Sequence, residues 1–452
     1  MILNLLSRFL THIRFVGPQE VLNKHFKAKS FQKSLLAKSF EGDPSLSIII
    51  GNQLEEVANP YYVTSSGWSI YFSRISPCHW EKFVDNPLSA IYIGAFAVGE
   101  VFKILIEEYI QSEKRTEFIY DFITHGNAEQ PVITPALPSF FDVNLTLVGV
   151  GAVGQAIVFA LDQFELRGKI ILVDPDIIDE SNLQRYPLAF KEAIRQRKTE
   201  YVSRYLLRRN NLLTTSEFNY PYEIAITIVE TLFKMEDVFV SVDNKRTRIN
   251  LQASLPKIIW NVWTDTARDT LRYGIGKHDF SDEYQCLACA YFPKGETPDQ
   301  MELNAAILGM SEEEIRNKIE NNMLIANNDL EYVFSNFELA HDHAHRLRML
   351  IGRPFAEIFH GECGVFTIKL QEKHEPTPTT HIPVLAGTYA VIQYALSMLD
   401  KENDSIQSVA EFDGFSYPNE KCLLKKKRYL KCICSDPIYQ EVYLQKWQSK
   451  SS

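Results

Sequence analysis

Gly149, Gly151 and Gly154 stand in a G-x-G-x-x-G pattern directly after the apolar run Leu145, Leu147 and Val148. Glycines let a backbone approach a phosphate closely, and a helix N-terminus beyond them offers free N–H groups. Twenty residues after Gly154, a second apolar run from Ile170 to Val173 ends at Asp174, where an acid can hold ribose hydroxyls. Asp243 ends a further apolar run in EDVFVSVDN. A carboxylate at the C-terminal end of a parallel strand sits where nucleotides bind in such sheets. The chemistry these residue types could do is therefore the binding of a phosphate-bearing nucleotide; the glycine pattern by itself usually signals a dinucleotide. The elements that must position them follow from the patterning. They are a strand into Gly149, a helix from Ala152 to about Phe164, and strands over 170–173, 236–242, 257–265 and 269–278.

The stretch after the second strand, DPDIIDESNLQRY, does not look like a dehydrogenase. It resembles the ThiF/MoeB and ubiquitin-activating superfamily, which adenylates the C-terminal carboxylate of a ubiquitin-fold protein. In that pattern D-x-D is followed by S-N-L-x-R, a later lysine, and an aspartate ending another strand. Asp174 and Asp176, Asn182 and Arg185, Lys198, and Asp243 occupy these places in order; Tyr186 departs from it, standing where a glutamine is usual. The resemblance implies an α/β Rossmann-like fold with a mostly parallel sheet, and ATP with Mg2+ as ligands. Arg185 and Lys198 would neutralise phosphates, Asp243 would hold magnesium, Asn182 would orient phosphate or ribose, and Asp174 would take the ribose.

The same resemblance gives the cysteines roles. Cys286 and Cys289 form C-x-x-C, and Cys432 and Cys434 form C-x-C near the C-terminus. Relatives hold one structural Zn2+ with two cysteine pairs at these places, and four thiolates suit tetrahedral zinc. Cys363 stands alone in FHGECGVFTI, ahead of the polar, proline-containing QEKHEPTPTTHIP and a helix from about 383 to 400 with small residues Ala386, Gly387 and Ala390. Ubiquitin-activating relatives carry a thioester cysteine in such a segment, with Cys78 and Cys422 as weaker rivals here. The chain is most like the activating enzymes of bacterial ubiquitin-like conjugation (Bil-type antiphage) operons. Its expected partners are a ubiquitin-like protein substrate and a conjugating enzyme. A sulfur-carrier activator, a peptide-adenylating enzyme of antibiotic synthesis and a non-enzymatic scaffold are the other readings.

Composition bounds the rest. With 452 residues, 45% hydrophobic and 23% charged, the chain is expected to fold into two or three globular domains. A net charge of −10 argues against bulk nucleic-acid binding. Seven irregularly spaced cysteines fit a reducing, cytoplasmic compartment. The N-terminal apolar stretch is broken by Arg8, His12 and Arg14, and no later run is expected to reach membrane-spanning length, so no membrane is expected.

Four regions are expected. Residues 1–138, with a core strand over 45–53 and a long helix over 86–110, resemble the inactive, degenerate N-terminal half of some bacterial ubiquitin-activating-like enzymes, which would let one chain supply its own dimer mate; an unrelated cap or substrate domain is the other reading. The end of this region, 125–138, reads as a linker. Residues 139–295 form the nucleotide-binding adenylation core, including a basic helix over 190–212. Residues 296–382 are a helical insert with the catalytic-cysteine segment, and 383–452 complete the adenylation domain with a zinc-binding tail. HDHAH (341–345), whose His341 and His345 share a helix face and could take a metal, reads rather as a solvated helix, and the basic run 421–431 faces an acidic partner or solvent.

Overall fold

The computed structural model describes residues 1–6, 8, 10, 12–13, 38–39, 45–107, 115–265, 271–291, 305–321, 323–337, 344, 347–348, 350–353, 355–358, 365–370, 373–399 and 408–448. The chain divides into two compact units: Met1–Tyr291 with Gly364–Ser452, and Phe292–Cys363.

After a short helix, Ile2–Leu6, and a parallel pairing of His12–Ile13 with Lys38–Ser39, the larger unit forms a small sheet of β1 (Ser47–Ile50), β2 (Pro60–Ser66), β3 (Ser69–Ser73) and β4 (Glu117–Asp121). The first pairing is parallel and the other two are antiparallel. The stretch expected as a core strand, β1, is instead an edge with Ile50 68% exposed. Between β3 and β4 runs α1 (Pro87–Leu105), capped by the Asn86 side chain, which accepts from the Leu88 and Ser89 N–H groups. The segment expected as a linker is tied down. The Trp68 indole donates to the Pro135 carbonyl at 2.7 Å, and Val132 N–H donates to Ser69 Oγ at 2.9 Å. The Ser69 hydroxyl of β3 and the Trp68 indole just before it supply hydrogen bonds that composition alone does not reveal.

The main sheet contains β5 (Phe140–Val148), β6 (Glu165–Val173), β7 (Leu212–Phe218), β8 (Asp237–Val240), β9 (Ile258–Asp265), β10 (Arg272–Asp279), β11 (Val409–Asp413) and β12 (Leu423–Leu424). Its order is β12-β11-β10-β9-β8-β5-β6-β7. The five strands from β9 to β7 are parallel, and β10 to β12 join antiparallel. Strand order reverses beside β5, and the crevice at such a reversal is where ligands bind. Apolar residues at the C-terminal halves of β5 and β6 are buried without alternation, because both faces are covered. Leu145 and Leu147 join one core cluster with the helices α2 (Ala152–Leu161) and α5 (His381–Leu399), while Val148, Val173, Val238 and Val240 join a second cluster on the other face.

Small residues let these helices approach. A Cβ on Gly387 of α5 would lie 2.7 Å from Ala156 Cβ and 2.8 Å from the Ile157 nitrogen of α2. A larger side chain there would cost about 1–3 kcal/mol in displaced backbone. α1 and α5, at 19 residues each, are long and apolar enough to cross a membrane, contrary to the expectation from sequence. Both are mostly buried in the protein, so their apolarity serves the core. The expected basic helix over 190–212 is shorter. Arg195 has φ +69°, which breaks the chain before α3 (Lys198–Leu207), and Asn210 ends it by bonding back to the Leu206 carbonyl at 2.8 Å.

After Gly364 the chain forms an antiparallel hairpin, Val365–Leu370 with Lys373–Pro378, rather than the unstructured polar linker expected. Alternation in VFTIKL is the period of a strand and outweighs the prolines that follow. The smaller unit holds helices Glu312–Glu320 and Asn327–Asn336 around Leu308, Ile315, Ile325, Leu330, Val333 and Phe355. Cys363, His341 and His345 lie outside the described residues.

Candidate functional site

The glycine loop is shaped by three different constraints. Gly149 has φ +93°, and a Cβ on it would meet the Ser241 and Val242 backbone at 2.9 Å. Gly154 faces the Gly149 carbonyl, 2.2 Å from where its Cβ would be. These two glycines are required by the protein's own packing. Gly151 is not: its φ is −78°, and a Cβ there would meet only the Tyr186 hydroxyl, at 3.6 Å. It is the N-cap of α2 and provides no side-chain cap, so the helix N-terminus opens onto that space. A phosphate fits these features: positive helix end, orphan N–H groups and room beside a glycine.

Asp174 at the end of β6 is 5% exposed and accepts from Val150 N–H at 2.7 Å and from Asp176 N–H at 2.9 Å. It thereby fastens the glycine loop to the turn after β6. Lys198, the first residue of α3, places its ammonium 2.7 Å from Asp176 and 3.7 Å from Asp174. Burial works to lower the Lys198 pKa, but Asp174, Tyr186 and Asp176 overturn it and hold the group well above its ordinary value. A permanently charged amine therefore stands between two acids beside the loop.

Asn182 is taken up in a short helical turn, Glu180–Asn182, where its side-chain oxygen accepts from Asp179 N–H at 3.0 Å. Arg185 follows, half-buried, donating to the Ser181 carbonyl at 3.4 Å with its guanidinium 5.9 Å from the Tyr186 ring centroid. Asp243 is exposed after β8, immediately before the Asn244 cap of α4 (Lys245–Ala253). Sequence reasoning missed the residues that set this exit. Ser241 Oγ donates to the Gly149 carbonyl at 2.7 Å, locking β8 to the glycine loop. Buried Arg248 donates through Nε to the Val242 carbonyl at 2.9 Å and also bonds Asn261. Nothing in composition marks either residue, since each acts through contacts made only once β5, β8 and β9 are side by side.

Cys286, Cys289, Cys432 and Cys434 are all buried, and their sulfurs lie within 4.8 Å of one another. Cys286 is 3.5 Å from Cys432, and Cys289 is 3.4 Å from Cys434 and 3.9 Å from Cys286. Sulfurs around a tetrahedral Zn2+ at ~2.3 Å stand roughly 3.8 Å apart, so the donor set and spacing suit that ion. The cluster's surroundings join two distant segments: Gln285 N–H donates to the Lys426 carbonyl at 2.8 Å, and Arg428 donates to the Cys434 carbonyl at 2.7 Å. Asp279 at the end of β10 is opposite Ile258 at the start of β9. The chain therefore delivers Cys286 at the end of the sheet away from the glycine loop. Cys78 is buried and its thiol is pushed up to about 11 by burial, and burial also raises Cys422. Neither has the lowered pKa of an attacking thiol.

The chain is 27% identical over 323 residues to uncharacterized protein y4jF of Sinorhizobium fredii, an alignment that covers 69% of this chain and 59% of that protein. The chain thus spans less than two thirds of the length of that relative. Among solved structures, E. coli MccB with ATP matches at 14% identity and TM-score 0.39, covering 83% of this chain and 98% of that one. PaaA matches at 11% identity and TM-score 0.33, covering 60% and 68%. The ThiF family pattern spans residues 129–432, more than half of the chain and the whole of the nucleotide crevice. By that match the chain belongs to the ThiF family.

Proposed function

We propose that this chain is an ATP-dependent adenylyltransferase that activates the C-terminal glycine of a ubiquitin-like protein, passes it to a Cys363 thioester and hands it to a conjugating enzyme. The observation that carries the adenylation is the open face at Gly151, flanked by Tyr186 and by the charged Lys198. A carboxylate oxygen attacks the α-phosphorus of ATP, forming the acyl-adenylate as the bond to pyrophosphate breaks. Two anions must meet in this step, so positioning and charge neutralisation dominate. Lys198, released from Asp176 by the incoming phosphates, and Arg185 provide the positive charge. Magnesium held by Asp243 would offset the charge of the leaving pyrophosphate. The Cys363 thiolate then attacks the acyl carbon and AMP leaves. The likeness of the chain to activating enzymes of Bil-type operons is the ground for placing it in a cytoplasmic antiphage pathway, with residues 1–138 acting as the in-chain mate of the adenylation core. Zn2+ on the four cysteines is structural.

ATP–pyrophosphate exchange dependent on a ubiquitin-fold protein with a free C-terminal glycine tests the reading. Asp243→Ala should abolish exchange, and full exchange in that variant would sink the assignment. Cys363→Ala should keep exchange but lose a reductant-sensitive adduct. If wild type yields only adenylate, the chain activates a sulfur carrier or a peptide without a thioester step.

A further inference from the structure

We propose that Tyr186 is a phosphate-binding residue of the nucleotide site, its hydroxyl donating to the phosphate that the glycine loop receives; this rests on the adenylation reading above. Tyr186 is 4% exposed, and its ring sits in a small apolar cluster with Ile178, Ala189 and Ala193, packed against Ala152 and Leu183. Those neighbours fix the ring. The hydroxyl then falls 3.6 Å from the position a Cβ on Gly151 would take, the one contact that side of the glycine makes. Two cations stand near the ring, with Lys198 Nζ 5.8 Å and Arg185 Cζ 5.9 Å from its centroid. A phenol close to ammonium and guanidinium groups, at the open end of a 10-residue helix without a side-chain cap, faces the place where negative charge is to be bound. A neutral O–H is the fitting donor there, because it adds a hydrogen bond to an anion without another buried charge to desolvate.

The test is calorimetric binding of Mg·ATP, AMP and adenosine to the full chain, with no carboxylate substrate present. Tyr186→Phe keeps the ring and its packing and removes only the donor. The expected result is roughly a 10- to 100-fold weaker Mg·ATP and AMP affinity, as for loss of a hydrogen bond to a charged group, with adenosine binding unchanged. Equal loss for all three ligands would mean a merely structural role, and unchanged Mg·ATP affinity would overturn the proposal outright. If wild type binds no nucleotide, the adenylation reading itself fails, a result separable from the first two. Tyr186→Gln, which restores a donor on a shorter side chain, should recover part of the ATP-over-adenosine preference; no recovery in a folded variant also counts against the proposal.

Discussion

Gly151 and Gly154 should respond in opposite ways to the same added methyl group. In Gly154→Ala the new Cβ lies 2.2 Å from the Gly149 carbonyl oxygen, with the Gly149 carbon and Ser241 Oγ at 3.1 Å. Backbone cannot step aside cheaply, so a cost of about 1–3 kcal/mol or more falls on the folded state. The melting temperature should fall by several degrees. In Gly151→Ala the backbone is at φ −78° and the nearest atom is 3.6 Å away, an ordinary contact. The fold should therefore be unaffected, or slightly stabilised by the lost freedom of the unfolded chain. What the methyl does fill is the space assigned to phosphate. Losing one charge-assisted hydrogen bond costs about 1.5–3 kcal/mol, roughly a 10- to 150-fold weaker Mg·ATP affinity. Thermal unfolding followed by circular dichroism, and calorimetry with Mg·ATP, read the two quantities separately. Wild-type ATP affinity in Gly151→Ala would refute the placement of phosphate. Wild-type stability in Gly154→Ala would refute the packing argument.

Removing metal from the four-cysteine cluster with a strong chelator should lower the melting temperature, since site formation is coupled to folding; Cys286→Ser should do the same and leave the purified protein without its one equivalent of zinc by elemental analysis. Acidification should destabilise the fold through three buried histidines. Burial pushes His125 and His278 down to about 4, and burial with Lys103 pushes His381 down to about 3. The unfolded chain takes up protons near pH 6.5 while the folded one does not, so stability is full above that pH. It is lost as pH falls from about 6.5 towards 4, at up to about 1.4 kcal/mol per pH unit for each histidine. Urea unfolding at a series of pH values measures the slope, and His381→Phe should reduce it.

Local patterning was enough to read the strand, glycine loop, helix and second strand from β5 to β6. Glycine spacing, apolar runs ending at Asp174 and Asp243, and the ordered Asn182, Arg185 and Lys198 are local features, because a βαβ unit is built from contiguous residues whose patterning encodes its period. The strands over 257–265 and 269–278 were legible for the same reason. The exposed edge at Ile50 was not, since whether an apolar strand lies at a centre or an edge depends on which strands come to pair with it. Likewise α1 and α5 have compositions that suit a membrane or a core, and only their burial in the packed protein assigns them to the core. Residues 373–378 belong to a polar, proline-containing stretch, yet pairing with 365–370 makes them a strand. The convergence of Cys286 with Cys432 across 146 residues, the Ser241 bond to Gly149, and the meeting of Tyr186 with Gly151 are likewise tertiary. Each joins segments whose approach is set by sheet order and helix packing, quantities that no local spacing contains.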